Sequence, residues 1–397
     1  MTPAIKQYAI ITGNYWAFTL TDGALRMLVV LHFYALGYSP LAIAMLFLFY
    51  EFFGVVTNLV GGWLGARIGL NRTMNIGLVL QVLALLMLAV PAEWLTVLWV
   101  MIAQALSGIA KDLNKMSAKS SIKMLVPKDA QGSLYKWIAI LTGSKNTLKG
   151  VGFFLGAGLL AVIGFRGAVL SMAGVLAGVA LLSLFVLQAD LGKAKGKPKF
   201  KEMFSQDDRV NRLSVARVFL FGARDIWFVV ALPVYMSAQL GWPSWWVGAF
   251  MAAWVMGYGV VQGFAPKLTR LGQRGQVPAG SAAFGWALIL AATPLAIGLL
   301  MGVQDWAEPV LVIGLLGFGV LFAVNSSLHS FLIVAYAKED GVSMDVGFYY
   351  MANAAGRLLG TVLSGWVYQA WGLAACLFIS AIVIMLAAIA ARPLPRP

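Results

Sequence analysis

The stretch WLTVLWVMIAQALSGIAKDLNKMSAKSSIKML, from Trp94 to Leu125, decides the reading of this chain. It opens as an apolar membrane span and turns strongly basic before it ends. At about 100° per residue, Gln104, Ser107, Gly108, Lys111, Lys115 and Lys119 fall on one side of a helix. A lysine at the bilayer centre costs about 3 kcal/mol on insertion scales, so this stripe faces water or bound anions rather than lipid. Lys119 and Lys123, nearest the basic end, read as side chains that snorkel to the cytoplasmic interface. Lys115 fits either environment. Lys111 lies about 25 Å from the outer end at 1.5 Å per residue, which places it in a cavity.

Composition agrees with a membrane reading. Of 397 residues, 61% are hydrophobic and only 11% are charged, against about a quarter charged in soluble domains. The net charge of +14 would suggest nucleic acid in a soluble protein. Here it sits mainly in short loops between apolar segments, where it sets orientation, and nucleic acid is not an expected partner. The single cysteine, Cys376, lies in an apolar segment and excludes both an internal disulfide and a thiolate metal site. No small-residue cleavage site follows the first span, so it is expected to be an uncleaved helix.

Apolar segments of spanning length, about 20 residues each, recur along the chain. They lie near 8–36, 40–66, 73–90, 94–117, 136–164, 168–189, 213–240, 245–266, 279–301, 309–337, 346–370 and 372–391. Arg67, Arg72, Lys119, Lys123, Lys128, Lys136, Lys267, Arg270, Arg274, Lys338, Arg392 and Arg396 all fall on the side that holds the amino terminus. The positive-inside rule puts both termini in the cytoplasm. The segment from Asp190 to Arg212, with KAKGKPKFKEMF inside it, separates six spans from six and reads as a solvated cytoplasmic linker. The expected organisation is a six-helix bundle over 1–189, the linker over 190–212 and a second six-helix bundle over 213–397. The halves echo each other: Asp22 precedes Pro40 by eighteen residues, and Asp225 precedes Pro243 by eighteen. HFYALGYSP in the first half also parallels PVYMSAQLGWP in the second. Related halves with a site near the midplane are a transporter pattern.

Certain strings carry a resemblance. GGWLGARIGLNR, from Gly61 to Arg72, resembles the signature loop G-x-L-x-D-R-x-G-R of the major facilitator superfamily. Gly62, Leu64, Arg67 and Gly69 match, while Ala66 stands where the family usually has Asp and Leu70 where it often has Arg. GFRG at 164–167 is similar to the corresponding superfamily loop, and GVGFFLGAG at 150–158 to the glycine-rich motif of exporters without its proline. The drug-exporter motif R-x-x-Q-G is met by Gln104, Ser107 and Gly108 but lacks its arginine. More specific are GNYWAFTLTDGALRMLVVLHFYALGYSP, FLFYEFFGVVTNLVGGWLGARIGLNRTMN, SGIAKDLNKMSAKSSIK and FLFGARDIWFVVALPVY. These resemble the bacterial organoarsenical efflux permease family ArsJ over nearly the whole chain. The resemblance implies export of 1-arseno-3-phosphoglycerate across the bacterial inner membrane, arsenate resistance, and a functional link to glyceraldehyde-3-phosphate dehydrogenase. It supplies no binding residues.

The binding residues are read from charge instead, because ionisable groups inside spans are functional candidates by default. The basic ones are Arg26, Lys111, Lys115, Lys145, Lys149, Arg217, Arg224 and Arg357; the acidic ones are Asp22, Glu51, Asp112 and Asp225. Eight against four is an excess that an anionic substrate would balance. Lys145 and Lys149 share a helix face that Gly152 and Gly156 continue, and Lys149 lies about 20 Å from the cytoplasmic end. Small residues there let another helix approach closely. Arg224 and Arg357 each sit about 16 Å into their spans. Their planar forks suit phosphate or arsenate oxygens. Arg26 follows Asp22 by four residues, which also permits an internal salt bridge, and Arg217, near a helix end, reads as snorkelling. Asn325, Tyr350 and Asn353 offer uncharged hydrogen bonds to a glycerate, or equally to neighbouring helices. Asp22, Glu51 and Asp225 are the proton-coupling candidates, Glu51 first because its own helix offers it no cation. Asp112, beside Lys111, reads as structural.

His329 has no Cys or His partner at ligand spacing, so no metal is expected. No nucleophile elbow or phosphate-binding glycine loop is present, so neither an enzyme nor direct use of ATP is expected, and no cofactor. The expectation is an all-α membrane protein of twelve transmembrane helices in two pseudo-symmetric six-helix bundles. It is a monomeric, proton-coupled exporter that alternates access around a basic central cavity. An importer or antiporter of organophosphate or carboxylate anions with the same fold is the alternative, and a non-transporting sensor with the same fold a more remote one.

Overall fold

Residues inside a bilayer must satisfy their backbone hydrogen bonds within the segment, which selects helices. The computed structural model describes residues 3–38, 43, 46–127, 130–187, 191–196, 198–269, 277–302 and 306–397, and every regular element among them is helical. Pro40, Lys128, Asp190, Arg270 and Arg274 lie outside the described residues.

The first four helices are α1 (Pro3–Ala35), α2 (Leu48–Ile68), α3 (Leu70–Leu88) and α4 (Val97–Leu125). The run Gln131–Val186 turns at Gly164, whose φ of 68° suits glycine alone, into α5 (131–163) and α6 (165–186). Then come α7 (Asp208–Phe228), α8 (Ala231–Ala238), α9 (Ser244–Leu268), α10 (Gly280–Leu300) and α11 (Ala307–Tyr336). Val342–Ala391 turns in the same way at Gly372, φ 77°, into α12 (342–371) and α13 (373–391). With α7 and α8 taken as one span, the described helices account for the twelve expected spans.

One span departs from expectation. The segment 213–240 is not one helix but two, parted at Val229–Val230. Pro233 explains the break: its ring would meet the carbonyl of Val229, four residues earlier, and it has no N–H to donate. The amide of Ala231, freed by the break, donates to the Ser364 hydroxyl at 3.1 Å.

The contacts divide the chain into two compact units. The first comprises residues 1–130, 144–204 and 337–351, the second residues 131–143, 205–336 and 352–397. In the first, α1 and α5 meet through glycine, as the small-residue face on α5 suggests. A Cβ on Gly23 would stand 2.7 Å from the Lys149 carbonyl, and one on Gly152 2.7 Å from the Leu20 carbonyl. In the second unit, α12 meets α7 in the same manner through Gly356 and Gly360 against Val218 and Gly222. Trp227, Trp254, Tyr258, Phe318 and Phe322 build an aromatic centre for that unit's core.

The stretch after the first six spans keeps Lys193, Lys195, Lys199 and Lys201 exposed, while its backbone is tied down. The Leu70 amide donates to the Leu191 carbonyl and the Ala194 amide to the Ala66 carbonyl, both at 2.8 Å. The Trp63 indole donates to the Pro198 carbonyl at 2.9 Å. Residues 191–196 and 198 therefore lie along the end of α2, where Gly69 (φ 101°) turns the chain into α3.

Candidate functional site

Charged side chains gather separately in each unit. In the first, α1 presents Asp22 and Arg26 one turn apart, yet they do not pair with each other. Arg26 Nη2 reaches Glu51 Oε1 of α2 at 3.0 Å. Asp22 accepts the Tyr50 hydroxyl at 2.6 Å, and its second oxygen stands 3.8 Å from Lys149 Nζ of α5. Asp112 of α4 takes Lys115 at 2.5 Å and Lys111 at 3.9 Å. Tyr50 is the hub. Its ring face receives the Lys111 ammonium at 3.8 Å and the Arg26 guanidinium at 4.9 Å, while its hydroxyl holds Asp22. Gly108 makes this possible, because a Cβ there would stand 2.6 Å from the Tyr50 carbonyl.

Burial sorts these groups. Asp22 and Asp112 are buried, whereas Lys111 and Lys149 keep 20% and 22% of their side chains accessible. Breaking a buried pair by removing one partner costs about 3–5 kcal/mol, so the inner carboxylates hold their cations firmly. Lys111 and Lys149 thus stay partly open to a solute while they pair with these carboxylates.

In the second unit, Asp225 of α7 is fully buried and serves two arginines. Arg224 Nε and Nη2 lie 2.6 and 2.5 Å from its Oδ1, and Arg357 Nε of α12 lies 3.0 Å from its Oδ2. Phe221, Phe228 and Phe322 surround the Arg224 guanidinium at 5.1, 5.6 and 5.4 Å from their ring centres. Arg357 keeps 38% of its side chain accessible. Nearby, Arg217 Nε donates to Asn353 Oδ1 at 2.8 Å, and its guanidinium carbon stands 3.7 Å from the centre of the Phe221 ring. Ser326 accepts from Arg217 at 3.4 Å and from Gln262 at 3.1 Å.

The remaining expected residues fall as follows. Lys145 is half-buried on α5, one turn before Lys149. Asn325 turns toward α10 and donates to the carbonyls of Trp286 and Leu321 at 3.0 and 2.9 Å. Tyr350 is buried in the first unit, where its hydroxyl accepts from Lys119 and its ring receives Lys115 and Lys119 at 4.8 and 4.5 Å. Asn353 belongs to the Arg217 network.

Several readings of single charges need correction. Lys119 and Arg217, expected to snorkel, are each only 3% exposed. Lys123 donates to the Ala337 carbonyl instead of reaching headgroups. Helix-end position predicts snorkelling only where no neighbouring helix covers the end. Arg26 takes its carboxylate from α2 and not from Asp22 on its own helix, and Glu51 has that arginine as its partner. Tyr50 was missed altogether; nothing in FYEFF distinguishes it from a core aromatic.

A sequence model described as Major Facilitator Superfamily matches residues 11–331. The chain belongs to the Major Facilitator Superfamily. It is accordingly a membrane transporter and not an enzyme. No curated protein sequence matches it. Similar solved structures include the human organic anion transporter MFSD10 (TETRAN), at a TM-score of 0.74 and 15% identity, covering 98% of this chain and 100% of that one. The E. coli fucose:proton symporter FucP is similar at a TM-score of 0.74 and 13% identity, with 98% of each chain covered. A bacterial homologue of the iron transporter ferroportin, in an outward-facing state, is similar at 0.71 and 14% identity, covering 96% of this chain and 98% of that one. At such identities the likeness is one of fold.

Proposed function

We propose that this superfamily member exports a small, doubly anionic, phosphate-like ester from the cytoplasm, with 1-arseno-3-phosphoglycerate as its cargo. Halves 1–189 and 213–397, joined by the cytoplasmic linker 190–212, would alternate access in a bacterial inner membrane with both termini inside. The observation that carries the anionic cargo is the gathering of Arg224 and Arg357 on one buried carboxylate, with more than a third of the Arg357 side chain left accessible. Guanidinium forks recognise phosphoryl and arsenyl oxygens through paired, charge-assisted hydrogen bonds. Lys111, Lys145, Lys149 and Arg26 supply further positive charge in the first unit, and Asn325, Tyr350 and Asn353 the uncharged contacts of the proposed set.

Arsenic enters through the resemblance to the ArsJ family, and hard oxygens agree with it. Trivalent arsenic favours several thiolates, whereas this chain has one cysteine; a pentavalent ester presents oxygens that suit Lys and Arg. Asp22, Glu51 and Asp225 are the proposed proton-coupling groups. A carboxylate's affinity for a proton changes when its cation or its solvent access changes, which links protonation to conformation.

The test is thermal stabilisation of the purified protein. 1-Arseno-3-phosphoglycerate is unstable, so 3-phosphoglycerate and 2,3-bisphosphoglycerate stand in. Both raise the melting temperature, glucose does not, and Arg357→Ala and Lys149→Ala each lose the effect. Equal stabilisation by glucose, or none by any anion, sinks the anionic-cargo reading. Export is tested separately: cells that make the protein should gain arsenate resistance, whereas sensitivity with retained anion binding would point to an importer.

A further inference from the structure

Asp225 does more than neutralise two arginines. We propose that its carboxylate is a resident surrogate for the substrate's oxyanion, which substrate displaces from the Arg224–Arg357 pair when it binds. This rests on the anion-transport reading above and specifies how one unit selects its ligand.

The geometry is that of an occupied clamp. Each carboxylate oxygen has its own arginine, Oδ1 with Arg224 at 2.6 and 2.5 Å and Oδ2 with Arg357 at 3.0 Å. A phosphoryl or arsenyl group offers the same pattern of two acceptor oxygens on one atom. Arginines that converge on a carboxylate at these distances therefore need little rearrangement to receive such a group. Access is one-sided: Asp225 is fully buried and Arg224 13% accessible, against 38% for Arg357. An arriving oxyanion meets Arg357 first and competes there for the edge that Asp225 Oδ2 engages.

The backbone beneath Asp225 suits such an exchange. The residue sits three positions before the end of α7, beside the break at Val229–Val230. The break is capped by Ser364, which lies on α12 two turns beyond Arg357. At the same level the Gly360 position presses on α7, where a Cβ would stand 3.0 Å from the Asp225 Cβ. The close packing at Gly360 holds α7 in place, so Asp225 exchanges its partners by rotation of its side chain alone. Displacement also selects. A phosphoryl dianion attracts two guanidinium groups more strongly than a carboxylate monoanion does, while a neutral sugar gains nothing by competing. The clamp favours phosphate-like dianions over monocarboxylates.

The experiment uses the purified full chain and 3-phosphoglycerate, read by ligand-induced melting shift and by tryptophan fluorescence. Asp225→Asn keeps the size of the side chain and removes the competing charge. It should bind about tenfold or more tightly than wild type, because the clamp is no longer occupied. Asp225→Asn should tighten binding less in an Arg357→Gln background than in wild type, because only Arg224 is then left to be freed, whereas a general rise in positive potential would give the same gain in both. If Asp225→Asn yields too little folded protein, the charge-balanced Arg224→Gln/Asp225→Asn protein carries the test and should bind at least as tightly as wild type. Wild-type binding with unchanged or weaker binding in Asp225→Asn, or with weaker binding in Arg224→Gln/Asp225→Asn where that protein carries the test, overturns the surrogate and leaves anion transport standing. No binding by wild type overturns both.

Discussion

A carboxylate inside a membrane protein survives by being fully engaged, and Asp22 does this with two unlike partners. The Tyr50 hydroxyl takes one oxygen and Lys149 approaches the other. Removing the lysine leaves a buried charge with one neutral donor. Lys149 stands 3.8 Å away and keeps 22% of its side chain accessible, so Lys149→Ala should cost less than the loss of a fully buried pair, about 1–3 kcal/mol. Adding Asp22→Asn should restore more than half of that loss, as read from melting temperatures without ligand; strict additivity of the two changes would dissolve the pair. At this scale the sequence reveals which residue types lie at depth and little about their partners. The excess of cations over carboxylates in the spans was plain, and so was the depth of Lys111 and Lys149. The pairing of Arg26 with Glu51 was not, because spacing along one helix favoured Asp22 and only the packing of α1 on α2 supplies the alternative. Arg217 misled for the same reason: Asn353 and Ser326 come from distant helices.

Helices in this protein meet where glycine removes the obstacle. Gly23 and Gly158 make a matched pair for testing that. A methyl group on Gly23 would lie 2.7 Å from the Lys149 carbonyl, whereas one on Gly158 meets nothing within 4 Å. Gly23→Ala should cost about 1–3 kcal/mol by forcing α1 and α5 apart. Gly158→Ala should leave the melting temperature unchanged or raise it, since alanine favours a helix by up to about 1 kcal/mol. Equal effects of the two changes would refute the close approach as the cause. The spans, their boundaries near Gly164 and Gly372, and the glycine face of α5 were legible because apolar runs and periodicity are local signals. The break at Val229–Val230 was announced by Pro233, yet the apolar run across it read as one segment.

For the whole molecule, the distribution of basic loops predicts a topology that one cysteine makes easy to probe. Cys376 is fully buried, so an impermeant maleimide should ignore the wild-type protein. Lys195→Cys should label from the cytoplasmic side only, and Glu93→Cys from the outside only. Labelling on the opposite sides would reverse the orientation. Membership in the superfamily could be read from the loop strings. The behaviour of the stretch between the halves could not. Its lysines suggested a solvated linker and are exposed, but only the packed chain shows that its backbone is stitched to Ala66, Leu70 and Trp63. A reporter domain spliced between Gly192 and Pro198 would pull those stitches out and unseat the turn at Gly69. One spliced after Phe204 would spare them, so the choice of insertion point decides whether a fluorescent fusion reports on a working carrier or on a damaged one.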